Sequence, residues 1–450
     1  MSMTAASDTR LELDDIQSGA LYERPSPYVG TYLLLRIDDR TDGRELVRRL
    51  RRLVRPARSG TGHVLGESSV TVAFSYHGLE ALGVPQESLD SFVPEFREGM
   101  AARAAILGDA GESGPENWEK PLGTSEVHVA IAVLSPDQAA LDELAHQVRR
   151  AHRALPGIAL VWRQDCYQLE TGRTSFGFRD GIGQPAIEGS GRASSNTKDA
   201  PVKAGEIVLG YPDETGGTGP MPTPEVLGRN GTYVVFRKLH TKVASYRQYL
   251  RERAVDRADE ALLGAKMVGR WQSGAPLALA PDADDPELGA DPDRRNDFGY
   301  AEDTKGLKCP LGSHARRANP RDSFDHDGAF DVRLHRMIRR GTSYGPALPE
   351  GVLEDDGADR GIIFVFAGAH LKRQFEFVKT QWLNDGIFIG APTEKDPLVG
   401  PNDGTSGFTI PHRPIRRRLP DLPPFVVTRG GDYFFAPGLR AMQWLSELES

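Results

Sequence analysis

The chain has 450 residues, a formal net charge of −8, 39% hydrophobic residues and 26% charged ones, the composition of an ordinary globular protein of about two domains. Only two cysteines occur, Cys166 and Cys309. That excludes a disulfide-built scaffold and any cysteine-rich zinc or iron–sulfur centre, so a cofactor would have to be held by something other than thiolate. No apolar run approaches the roughly 20 residues of a membrane span, and mild acidity gives no general attraction for nucleic acid. Met1 to Asp15 shows neither a basic n-region nor an apolar h-region, and the expected location is cytoplasmic.

In chain order, Tyr32–Ile37 and Val70–Tyr76 read as strands, with a helix over Arg44–Val54 between them. Val127, Val129, Ile131 and Val133 alternate at period two, the pattern of a half-buried strand. A helix over Pro136–Leu155 and a strand over Ile158–Trp162 follow. The rhythm returns in the second half: a strand over Thr232–Phe236, a helix over Tyr246–Gly264, a strand over Gly361–Phe366, a helix over Leu371–Leu383 and a strand at Tyr433–Phe435. Two such sets predict an α+β protein of two antiparallel sheets backed by helices, over residues 1–215 and 216–450. Gly108–Pro121, Tyr211–Pro224 and the Asp/Pro-rich Ala280–Asp297 read as surface insertions.

Three segments carry chemistry. Gly177-Phe178-Arg179-Asp180-Gly181 flanks a carboxylate with two glycines and projects Asp180 from a turn. Cys309 to Arg321 contains His314 among Arg316, Arg317 and Arg321, followed by Asn319-Pro320. No second ligand at helical spacing makes it a zinc site. A lone histidine can serve as the sole protein ligand of haem iron, and arginine suits carboxylates. Leu334 to Gly345 runs a strand into a turn and holds Arg339-Arg340, a cation able to stabilise developing negative charge. Each segment alone is compatible with an ordinary turn or surface loop.

Their order and content resemble the dye-decolourising peroxidases. Gly177–Gly181 matches that family's GxxDG signature, His314 its proximal haem-ligand segment, and Arg339 its distal arginine. The resemblance extends from Asp15-Ile16-Gln17 through Ala73–Leu79, Glu95–Met100, Asn230–Leu239 and Arg373–Phe377 to Glu394–Gly400, in the manner of the larger, insertion-rich branch. It implies two ferredoxin-like domains and one haem b (iron protoporphyrin IX). It implies hydrogen peroxide and an aromatic or dye substrate as partners, without nucleic acid or membrane, and leaves room for a homo-oligomer. Shorter members carry an asparagine two residues after the distal arginine; here that position is Gly341.

On this resemblance His314 ligates iron, and Glu394, with Asp396 as the alternative, accepts a hydrogen bond from its other ring nitrogen. Asp180 relays a proton and Arg339 stabilises negative charge, with Arg340 its rival. A carboxylate stays ionised to lower pH than histidine stays neutral, so the reaction should favour acid. Arg321 is the first candidate for a propionate, ahead of Arg316 and Arg317. Phe364 and Phe366 share a strand face and line the pocket or pack the core. His335 is the strongest rival ligand, and His326 reads as part of a turn. The competing functions are haem-iron release on the same frame and a non-enzymatic haem carrier.

Overall fold

The computed structural model describes residues 10–22, 24–57, 67–192, 194, 196–324 and 331–449; His63 and His326 lie outside the described residues. Four strands form the first half of the sheet: β1 (Val29–Ile37), β2 (Ser69–Phe74), β3 (Val129–Ser135) and β4 (Ile158–Tyr167). Their order across the sheet is β4-β1-β3-β2. The second half uses β5 (Thr232–Thr241), the short pieces β6 (Ile338–Arg339) and β7 (Thr342–Tyr344), and β8 (Gly361–Gly368). A two-stranded ribbon, β9 (Phe408–Ile410) with β10 (Arg417–Leu419), precedes the last strand, β11 (Val426–Ala436). The second half runs β11-β5-β8-β6, which is the same ferredoxin-like order as the first. The two expected sets of strands are present with all ladders antiparallel, but they form one nine-stranded sheet rather than two separate ones.

The halves join edge to edge through β2 and β11, at Phe74 opposite Phe435. At the far edges Tyr167 Oη donates to Gly345 O at 2.8 Å and Ser343 N to Tyr28 Oη at 2.7 Å. Among the described residues no ladder joins β4 to β7, so the sheet curls without closing. Gln17 fastens the seam: its Nε2 donates to Val72 O and to Pro437 O, at 2.8 and 2.9 Å, and its Oε1 accepts from Val72 N.

One face of the sheet carries Leu33, Leu35, Val70, Val72, Phe74, Tyr233 and Val235 against the helices Arg40–Arg51 and Gln138–Arg153. Both helices begin on an aspartate cap, Asp39 and Asp137, which supplies the acceptor that the first turn lacks. Each fully buried leucine or phenylalanine is worth about 1.5–3 kcal/mol. The other face carries Tyr32, Leu34, Phe236, Ile363 and Phe434.

Three further expectations change. The helix over Tyr246–Gly264 is two helices, Val243–Arg253 and Arg257–Val268, because Asp256 turns extended and caps the second. The Ala280–Asp297 stretch is not a bare insertion: Asp285 caps the helix Pro286–Ala290 and Leu288 is buried. Gly108–Pro121 is more than surface, since Gly108 to Ser113 line the main cavity.

Candidate active site

A cavity of about 770 Å³ opens between the second half-sheet, the segment Thr174–Gln184, the short helix His314–Ala318 and the Lys372–Leu383 helix. Its size suits a cofactor or drug-sized ligand.

His314 is the first residue of its helix. Ser313, the cap, donates its hydroxyl to Lys266 O at 2.5 Å. Arg316 and Arg317 then point away from the cavity into protein. Arg317 is fully buried and donates to the carbonyls of Gly312, Trp382, Asp385 and Glu394. Arg316 donates to Asp303 and to Cys309 O. Both are structural ties, and the expectation that they reach propionates is corrected. Cys309 packs in a buried cluster with Trp271, Phe298 and Tyr300.

His314 Nδ1 lies 2.9 Å from Oδ2 of Asp396. Asp396 is wholly buried, and its Oδ1 accepts from Leu398 N and Val399 N, both at 2.9 Å. Burial works against charging either group. The pairing prevails: His314 is raised above the usual histidine value by Asp396, and Asp396 is held below the usual carboxylate range by His314. Glu394, the expected acceptor, is turned instead toward Thr409, bonding its hydroxyl and its N–H. Two residues of sequence rotate the carboxylate away from the imidazole, so that assignment passes to Asp396. Nε2 of His314 carries no hydrogen bond among the described residues and His314 lines the cavity.

Asp180 and Arg339 line the same cavity. Gly177 and Gly181 adopt φ of +88° and +81°, a backbone that glycine permits without strain, and this irregular turn carries Asp180. Gly341 packs beside it: a Cβ at position 341 would stand 3.0 Å from Asp180 Oδ2. A second, polar cavity of about 320 Å³ shares Asp180, Gly181, Ile182 and Gly341 with the first and includes exposed residues, a route from solvent to the carboxylate.

Arg339 N donates to Gln184 Oε1 at 3.0 Å and its Nη2 to Gly183 O at 3.2 Å. No carboxylate among the described residues forms a salt bridge with it. Burial, then Arg336, brings its pKa down to about 10, still protonated at neutral pH. Arg340 alternates to the opposite face, where it donates to Tyr22 O and Leu21 O; strand alternation decides between the pair. His335 stacks on Phe377 at 3.8 Å, donates from Nδ1 to Arg373 O and does not line the cavity.

Phe364 lines the cavity wall. Phe366, expected beside it, is fully buried in the core at 6.3 Å from Phe375, because its end of β8 runs beneath the Lys372–Leu383 helix. Arg321 also lines the cavity. It spends three of its five N–H groups on Asn296 O, Asn296 Oδ1 and Phe298 O, keeping Nε and one Nη2 hydrogen. Sequence reasoning missed Gln184, three residues beyond the GxxDG segment, although an amide beside that motif was a usable signal. It also missed Lys379 and Arg237, buried cations on the cavity wall.

The residues fit haem: one imidazole whose distant nitrogen is free, an apolar wall that includes Phe364, Val378 and Leu398, and Arg321 with donors to spare. Residues 40–158 match the family model described as the DyP dimeric alpha+beta barrel domain. The chain is 31% identical over 405 residues to the dye-decolorizing peroxidase msp1 of Mycetinis scorodonius, covering 84% of this chain and 76% of that protein. The chain belongs to the dye-decolorizing peroxidase family. Other members of the family resemble it over greater lengths. The multifunctional dye peroxidase of an Amycolatopsis species is 28% identical over 98% of this chain and 97% of its own. The solved structure of an ancestral D-type dye-decolorizing peroxidase superposes with a TM-score of 0.82 at 28% identity, covering 96% of this chain and 99% of that one. The dye-decolorizing peroxidase is an enzyme, and the family is haem-dependent.

Proposed function

We propose that this peroxidase binds one haem b per chain in the 770 Å³ cavity and reduces hydrogen peroxide at the expense of dyes, phenols or other bulky aromatic reductants. The observation that carries the reading is the division of labour around one cavity: a carboxylate-paired imidazole, His314–Asp396, and a separate acid and cation, Asp180 and Arg339, on the walls. When bound, haem supplies the redox-active iron. His314 would hold the iron through Nε2, because Asp396 fixes its tautomer and raises its basicity. Asp180 takes a proton from peroxide at one oxygen and returns it to the departing one, work that needs reach of about 3 Å or one bridging water. Arg339 sets a fixed positive charge where negative charge develops. Arg321 offers its remaining N–H groups to a propionate. A haem carrier needs only an axial ligand and a pocket; the acid and cation argue for turnover.

The test is the absorption spectrum of the purified protein with and without hydrogen peroxide, followed by dye oxidation at mildly acid pH. A Soret band that responds to peroxide, and its loss with dye turnover in His314→Ala, are expected. A His314→Ala protein that binds haem normally and turns over would overturn the axial assignment, and a Soret band indifferent to peroxide would favour carriage.

A further inference from the structure

On the opposite face of the sheet from the haem cavity lies a second chamber, of about 110 Å³. Both halves build it: Leu34, Ala73 and Ala132 from one, Val234, Val365 and Phe434 from the other. The inner walls are apolar, and an engineered apolar cavity of about 150 Å³ takes up benzene. The chamber is thus of the size class that admits one aromatic ring.

Polar side chains rim the apolar lining, among them Ser69, Thr71 and Glu67, whose carboxylate is paired with Arg55. Ser18 is 5% exposed, lines the chamber, and its hydroxyl has no hydrogen-bond partner among the described residues. A buried hydroxyl left unpaired costs about 1–3 kcal/mol in general, so it marks a place where a ligand acceptor would be welcome. Arg24, Arg192 and Arg340 also line the chamber. Arg24 is bound by the carbonyl of Gly341 at 2.8 Å and lies 4.3 Å over the Tyr28 ring. Among the described residues no carboxylate forms a salt bridge with it, so its charge is available to an anion.

We propose that this chamber is a second binding site, taking a small aromatic carboxylate. The ring lies among Leu34, Ala132, Val234 and Phe434, and the carboxylate meets Arg24 and the Ser18 hydroxyl. Guanidinium pairs with carboxylate through parallel N–H bonds, and an apolar void accepts a ring at little desolvation cost. The site abuts the distal machinery without entering it. Arg24 holds Gly341, and Arg340 hydrogen-bonds the carbonyl of Arg339, so an occupant presses on the segment that carries the distal arginine.

The probe is 4-bromobenzoate soaked into crystals of the holoenzyme, located by bromine anomalous scattering, with 4-fluorobenzoate followed by fluorine NMR in solution. A bromine peak between Ala132 and Phe434 is expected, with a dissociation constant of roughly 1 mM or tighter for a ligand of this size. The Soret band should not move, since a distal occupant would shift it. Neutral fluorobenzene should bind about tenfold more weakly, because it lacks the charge-assisted bonds. Filling the chamber with Ala132→Leu should lower 4-fluorobenzoate affinity at least about tenfold while peroxidase turnover stays as in the parent protein. Bromine found only in the cavity beside Asp180, an unbroadened fluorine signal, or undiminished binding by a folded Ala132→Leu protein would each overturn the proposal. If that variant does not fold, the bromine position decides by itself. None of these readouts depends on peroxidase activity, so the proposal fails or stands apart from the haem assignment.

Discussion

Asp396 Oδ2 stands 2.9 Å from His314 Nδ1 at the base of the cavity, and both its oxygens are engaged, one by the imidazole and the other by two backbone N–H groups. A carboxylate so held orients the ring and increases its electron donation. Asp396→Asn should keep haem bound but lower turnover about 10–100-fold, the range for losing such a partner. Glu394→Gln should leave the haem spectrum as in the parent, since Glu394 serves Thr409. Absorption spectra and steady-state rates of the two variants separate these outcomes; equal losses would return Glu394 to the proximal role.

On the proposed mechanism Asp180 relays the proton and Arg339 stabilises developing negative charge. Asp180→Asn should slow the reaction with peroxide about 10²–10⁴-fold. Arg339→Leu should slow it about 10²–10³-fold. Stopped-flow mixing with hydrogen peroxide ranks them, and a near-normal rate in Asp180→Asn would assign the work to the arginine.

A Cβ at position 341 would stand 3.0 Å from Asp180 Oδ2, closer than ordinary contact, so the carboxylate would have to give way. Gly341→Ala should therefore displace Asp180 and lower kcat/KM for peroxide several-fold, with haem content unchanged. Pyridine haemochrome quantitation alongside the rate constant checks both halves of that statement.

Arg317 satisfies four buried carbonyls with one side chain. Arg317→Leu removes that donor set and should cost at least about 1–3 kcal/mol, the penalty of a buried polar group left unpaired. Lysine cannot restore the fork. Thermal melts of the two variants should show similar large losses; a lysine variant that melts with the parent would refute the account.

Glu206 is fully buried, and burial pushes its carboxyl up to about 7 despite the Glu214 N–H and Arg373. The unfolded chain loses that proton near 4.3. The native state thus holds a proton that the unfolded state has released between about 4.3 and 7. Its contribution is complete below the lower value and is lost as pH rises through 7. Asp432, raised by burial to about 6, acts in the same direction. Glu206→Gln should flatten the fall in Tm between pH 5 and 7.5, an effect of up to about 3 kcal/mol. An unchanged slope would mean that Arg373 keeps Glu206 ionised.

Much of this was readable beforehand, and the failures have common causes. Strands announced themselves through β-branched runs such as Val70–Phe74, because side-chain alternation and burial are local properties. The three chemical segments were readable for the same reason: each is a short, unusual string. The motif position favours Arg339 over Arg340, and Arg339 lines the cavity. What could not be read was finer placement: Asp396 rather than Glu394 meets His314, and Phe364 but not Phe366 reaches the cavity, choices that tertiary packing settles. Gly108–Ser113 looked like an insertion because nothing in its composition records that it meets Thr428 and Arg237 across the cavity.

The cavity draws its walls from residue 108 to residue 428, and the seam between β2 and β11 closes only when the last strand arrives. Both halves line it, so the affinity of a cofactor held there would be a property of the finished chain. A ligand that binds only the native state stabilises it in proportion to the logarithm of its excess over the dissociation constant. On the proposed haem site, cofactor loading would report on assembly: a chain truncated before β11, or joined wrongly at the seam, would lack both the colour and the stability of its correctly assembled counterpart.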